Sequence, residues 1–111
     1  MRATAARSLA VQGGPDALAR LLPSLADPSS EVRWTAALGL GRLADRRAVP
    51  PLLERLSDGS ARVRREASLA LGYLGDPAAK PGLQSVAAED DAEAVRAAAA
   101  YALQLIDRPA P

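Results

Sequence analysis

Apolar residues return along this chain at intervals of three and four, and they do so in blocks that resemble one another. Residues 32–43 (VRWTAALGLGRL), 63–74 (VRREASLALGYL) and 95–106 (VRAAAAYALQLI) align without gaps at spacings of 31 and 32. The matching positions lie 0, 4, 5, 8 and 11 residues after the valine. That spacing draws one stripe along a helix of 3.6 residues per turn. A weaker fourth copy starts at Met1, with Arg2, Ala5, Ala6 and Leu9 in register. Between the copies run shorter apolar sets with the same period: Leu18, Leu21, Leu22 and Leu25; Val49, Leu52, Leu53 and Leu56; Leu83, Val86 and Ala87. Pro15, Pro50, Pro51, Pro77 and Pro81 stand at the starts of these shorter sets, where a first helical turn tolerates the missing N–H. Pro23 falls inside the first of them and should kink or shorten it. The pattern predicts seven helices, long and short alternating, and no strand.

Self-similarity at a fixed period near thirty residues is the mark of a stacked repeat, in which each unit buries its apolar face against its neighbours. The expected organisation is a single domain over 1–111, with a half repeat at 1–13 and full repeats at 14–44, 45–75 and 76–108. Composition points the same way. Twenty-six alanines and 17 leucines favour helix, and Phe is absent. Eight glycines and nine prolines fit frequent short interruptions.

Each short set ends near an aspartate that is followed six residues later by an arginine: Asp27 and Arg33, Asp58 and Arg64, Asp90 and Arg96. An acidic residue ahead of a helix can cap its free N–H groups and can meet an arginine of an adjacent turn. Together with the V-R-x-x-A-A core and the ending from Leu71 to Asp76, this arrangement resembles HEAT repeats. It looks still more like the short HEAT-like repeats found in phycocyanobilin lyase subunits and many bacterial scaffold proteins. The resemblance implies an all-α, right-handed α-α superhelix, a HEAT-like solenoid of about seven helices. It also implies that Asp27, Arg33, Asp58, Arg64, Asp90 and Arg96 form a ladder linking successive repeats. These repeats are shorter than full HEAT units of about 40 residues.

The chain carries 14 basic and 13 acidic residues, a net charge of +1, and neither Cys nor His. Thiol and imidazole chemistry and the usual zinc, haem or copper ligands are therefore excluded. Deoxyhypusine hydroxylase, built on similar repeats, binds its metal through His-Glu pairs, a function that cannot be carried to a chain without histidine. No catalytic, metal-binding or cofactor-binding residue is expected. Gly39-Leu40-Gly41-Arg42-Leu43-Ala44 matches a dinucleotide fingerprint in letters only, since its glycines lie inside a helical repeat, with no strand before them. Gly41 and Gly72 instead suit close contact between helix backbones. The run Glu89-Asp90-Asp91-Ala92-Glu93 lacks the alternating ligands and turn glycine of a calcium loop and reads as a solvated helix cap.

Offsets 2, 6 and 10 of the long helices form a second face, away from the core stripe. It carries Trp34, Leu38 and Arg42; Arg65, Leu69 and Tyr73; Ala97, Tyr101 and Leu105. All three aromatic residues of the protein fall on it. In HEAT-type solenoids the second helices line the concave surface, so the resemblance makes this face an inner groove. Aromatic and arginine side chains are the common anchors of protein interfaces. The expected function is a non-catalytic protein-protein interaction scaffold whose site is Trp34, Leu38, Arg42, Arg65, Leu69, Tyr73, Tyr101 and Leu105.

The rival reading, carried by resemblance alone, is an accessory subunit in bilin attachment. Nucleic acid is a less favoured partner: Arg46, Arg47, Arg62, Arg64 and Arg65 are diluted by Asp45, Asp58 and Glu66. No basic start leads into a long apolar run, which argues against a signal peptide or membrane span and for the cytoplasm. Met1, Ala5 and Leu9 have no preceding helix in this sequence to cover them, so either the chain is part of a longer array or its uncapped ends associate weakly with another copy.

Overall fold

The computed structural model describes residues 16–108, which are helical almost throughout. Six α-helices alternate between short and long: α1 (Ala17–Ser24), α2 (Ser30–Leu43), α3 (Val49–Glu54), α4 (Ala61–Leu74), α5 (Lys80–Glu89) and α6 (Glu93–Asp107). The helix expected over residues 1–13, and with it the self-association argument from Met1, Ala5 and Leu9, lies outside the described residues. The described part is the all-α repeat architecture that the periodicity demanded. Each short helix packs on the long helix that follows it, and the long helices α2, α4 and α6 lie side by side.

Local chemistry sets the ends of these elements. α1 contains Pro23 and stops one residue beyond it. Single 3₁₀ turns at Arg46–Ala48 and Pro77–Ala79 lead into α3 and α5, and in both an aspartate, Asp45 or Asp76, accepts from the backbone N–H two residues on. Ser29 and Ser60 cap α2 and α4 through their hydroxyls, whereas Ala92 precedes α6 without a side-chain cap. Two of the three long helices close in the left-handed region, α4 at Gly75 (φ 70°) and α2 at Ala44 (φ 56°), whereas α6 ends in extended backbone at Arg108. Glycine adopts the left-handed conformation freely and alanine does so at a cost.

The apolar stripe is where the core lies. Leu21, Leu40, Leu52, Leu71 and Leu83 are fully buried, as are Val63 and Val95. Each such side chain contributes roughly 1.5–3 kcal/mol relative to exposure. The long helices are buried more broadly than one stripe, because α4 is covered on two sides. Thr35, Glu66, Ser68, Gly41 and Gly72 are buried too. The Thr35 and Ser68 hydroxyls are satisfied by donating to the carbonyls of Glu31 and Arg64, four residues back.

Glycine controls how near these helices come. A Cβ on Gly72 would sit 2.7 Å from Ala102 Cα, and one on Gly41 would sit 3.0 Å from Ala70 Cα. The two glycines inside the apparent dinucleotide motif, Gly39 and Gly41, are thus mid-helix residues of α2, and Gly41 is a helix-packing contact.

Candidate protein-binding face

The aspartate-arginine pairs form a regular lattice of hydrogen bonds at one end of the hairpins. Arg33 donates from Nε and Nη2 to the two oxygens of Asp58 (2.9 and 3.1 Å), and from Nη1 to the Asp27 carbonyl (2.8 Å). Arg64 repeats this one unit later, with Asp90 as carboxylate (2.8 and 3.3 Å) and Asp58 as carbonyl (2.8 Å). Arg96 donates to the Asp90 carbonyl (2.6 Å). The spacing of six left a helix cap and an arginine of an adjacent turn both open as partners. In the structure each arginine meets the backbone of its own aspartate and, for Arg33 and Arg64, the carboxylate of the next, so these two rungs link successive repeats. The aspartates also receive the N–H groups of Ser29, Ser60 and Ala92, which secures each turn into a long helix.

Burial alone would raise the Asp58 pKa, but the Arg33 hydrogen bond, the Ser60 N–H and the charges of Arg33 and Arg55 hold it below the ordinary value. Asp90 is likewise held down against its own desolvation, chiefly by Arg64. The acidic run at 89–93 is therefore not simply a solvated cap. Asp90 turns inward, with its side chain only 7% exposed, while Asp91 stays in water.

The second face of the long helices contains the candidate site. A shallow groove of about 480 Å³ runs between α4 and α6, lined by Arg65, Leu69, Tyr73, Ala94, Ala97, Ala98 and Tyr101. Tyr73 and Tyr101 are 52% and 48% exposed, the large apolar residues left most open to water among those described. Tyr73 also reaches back toward α2, where its ring edge would lie 3.4 Å from a Cβ on Gly41. Leu105 does the same one unit on, with its Cδ1 3.2 Å from a Cβ on Gly72. Leu38, Leu69 and Leu105 are partly covered, and Arg42 is exposed.

Trp34 departs from the expectation of a ring left facing water. It is only partly exposed, and the Arg62 guanidinium lies over it at 4.1 Å from the ring centroid. Arg62 also donates to Glu66 Oε2 (2.9 Å), which accepts from Arg65 Nη1 as well (2.7 Å). The sequence shows Arg62 and Glu66 four apart on a helix, the spacing of an ion pair. It does not show that the carboxylate is buried or that the arginine stacks on an aromatic ring of the preceding repeat.

Arg47, Arg55 and Lys80 are also engaged. Arg47 pairs with Asp45 (2.7 Å) and holds its carboxyl down to about 2. Lys80 pairs with Asp107. Among the described residues no group of His, Cys, Asp and Glu is arranged to hold a metal ion, and no helix is long and apolar enough to cross a membrane.

Side-by-side helical hairpins joined by an inter-repeat ladder, with small residues at the helix contacts, define an α-solenoid repeat protein. The family model for HEAT repeats matches residues 20–104, and the chain belongs to that family. Among solved structures it is similar to human deoxyhypusine hydroxylase in complex with glycerol, at 31% identity and a TM-score of 0.81 over 93% of this chain. A second likeness is the complex of CpcE and CpcF of phycocyanin lyase from Nostoc sp. PCC7120, at 23% identity and a TM-score of 0.66 over 96% of this chain. The chain spans 36% of the hydroxylase and 59% of the lyase chain. No curated protein matches it by sequence.

Proposed function

We propose that this chain is a non-catalytic, cytoplasmic interaction module that binds another protein through the face formed by α2, α4 and α6. Tyr73 and Tyr101 are the anchors. Leu38, Leu69 and Leu105 supply apolar area around them, and Trp34, Arg42 and Arg65 border it. The resemblance to HEAT solenoids supports reading this face as the concave side. The observation that carries the reading is the pair of half-exposed tyrosines across a floor of Leu69, Ala97 and Ala98, in a repeat that builds its core from Ala, Leu and Val. Aromatic rings beside an arginine over an apolar floor are the usual make-up of an interface hot spot.

The six ladder residues have a structural role in this account. The bilin reading has only a shared fold behind it, and this chain has no histidine with which to repeat the metal chemistry that the resemblance to deoxyhypusine hydroxylase would imply. Affinity capture from lysate of the source cell, with the parent chain beside a Tyr73→Ala, Tyr101→Ala variant of matched helicity, tests the proposal. Partners retained by both proteins alike would refute it. An absorbance shift on adding a bilin would favour the lyase-like role, and a complex with steep salt dependence would favour nucleic acid.

A further inference from the structure

Glu66 is a buried acid that the repeat does not require. The residue three after the core valine is Thr35 in one copy, Glu66 in the next and Ala98 in the third, and all three are buried. A threonine or an alanine satisfies the packing there, so a carboxylate, which loses hydration on burial, has another task. Its side chain is 5% exposed, and two arginines close over it, Arg62 at 2.9 Å and Arg65 at 2.7 Å. Arg65 thereby becomes fixed at the groove, with Nη1 occupied and no other acceptor among the described residues on Nε or Nη2. The groove lining contains this one cation and no acid. The trio of Arg62, Arg65 and Glu66 carries one net positive charge, and exposed Arg42 adds another on the same face.

We infer that the groove takes an acidic segment of a partner protein, one in which an apolar side chain seats between Tyr73 and Tyr101 while a neighbouring carboxylate pairs with Arg65. Glu66 is the positioning residue: it spends one arm of the guanidinium so that the remaining edge is presented in a fixed direction, the geometry that favours a two-point bond to a carboxylate. This inference rests on the docking reading of the same face and adds the chemistry of the occupant.

The test is an NMR titration of the full chain, at low ionic strength, with three blocked pentapeptides: acetyl-Leu-Asp-Leu-Glu-Leu-amide, its Asn/Gln counterpart and its Lys/Lys counterpart. Shifts of Arg65 Nε–H and of the Ala97 and Ala98 amides report occupancy. The acidic peptide binds about five- to tenfold more tightly than the amide peptide, and the lysine peptide binds most weakly. Arg65→Gln abolishes the ratio between acid and amide, and Glu66→Gln reduces it. A merely structural effect of either variant would weaken both peptides equally and leave that ratio intact. Equal affinity for the acidic and amide peptides overturns the inference and leaves the docking reading standing. No binding by any of the three, or binding indifferent to Tyr73→Ala with Tyr101→Ala, overturns both. Displacement of the acidic peptide from Arg65 by an oligothymidylate that binds more tightly assigns the face to nucleic acid instead.

Discussion

Gly72→Ala puts a methyl group where α4 and α6 touch. The new Cβ would lie 2.7 Å from Ala102 Cα, 2.8 Å from Ala102 Cβ and 3.2 Å from Leu105 Cδ1, whereas ordinary contact begins near 3.4 Å. Two of these three atoms are the backbone or the Cβ of a helix, so no side-chain rotation relieves them. The helices must separate by 0.7 Å, the difference between 3.4 and 2.7 Å. A gap of that size forfeits about a quarter to a half of the dispersion energy of each pair it opens. Overpacking of this kind costs roughly 1–3 kcal/mol, and the rigidity of the obstacle puts Gly72 at the upper end. Alanine returns about 1 kcal/mol through its better helix propensity. The net expectation is a loss of about 1–2 kcal/mol, or a midpoint lower by roughly 5–10 °C. Two controls grade the effect. Gly41→Ala meets Ala70 at 3.0 Å, so strain and propensity nearly cancel, while Gly59→Ala meets nothing within 4 Å. Urea and thermal denaturation followed by circular dichroism should rank the losses in the order Gly72, Gly41, Gly59. A Gly72→Ala protein as stable as the parent would refute the claim that backbone proximity fixes the spacing of the long helices.

Three further outcomes are expected. Ala44→Gly relieves a left-handed alanine at an exposed helix end, where the equivalent residue is already Gly75, and should raise stability by about 0.5–1 kcal/mol in denaturant titration; a decrease would remove the strain argument. Asp58 and Asp90 have folded-state pKa values below the unfolded one, so their contribution is complete above about pH 4 and is lost as pH falls through the folded values. Asp58→Asn should cost about 2–3 kcal/mol at neutral pH, by leaving Arg33 and Arg55 against a neutral group, and the gap from the parent should shrink as pH falls below the ordinary aspartate value of about 4; a gap constant with pH would count against the ladder. Arg62→Ala uncovers the single tryptophan, so Trp34 emission should shift to the red and quench more readily with iodide, and an unchanged spectrum would deny the stacking contact.

Periodicity by itself determined which faces are apolar and marked the three hairpins among the described residues, whose second helices lie side by side. Val32, Val63 and Val95, with Ala36, Ala67 and Ala99, are buried where the stripe put them. The same alignment pointed to Gly41 and Gly72 as contacts between backbones, because a side chain of zero size repeated in register needs a neighbour close by. Sequence spacing pointed to the right aspartates and arginines but not to their partners. The separation of six is a distance along one chain, while the carboxylate that each of Arg33 and Arg64 reaches is 25 or 26 residues away.

Only the tertiary structure decided how the aromatic residues are used. Trp34, Tyr73 and Tyr101 share a face by pattern, yet Trp34 lies under an arginine of the following repeat and the tyrosines do not. That difference depends on what the adjacent helix happens to carry at the same height. Glu66 makes the same point. As a letter in the sequence it is an ordinary helical acid beside two arginines, and only in the fold is it buried, with both arginines paired to it. Local sequence fixes which way a side chain leaves its helix. What covers it is set by residues some thirty positions away, brought alongside by the small glycine and alanine contacts between the long helices.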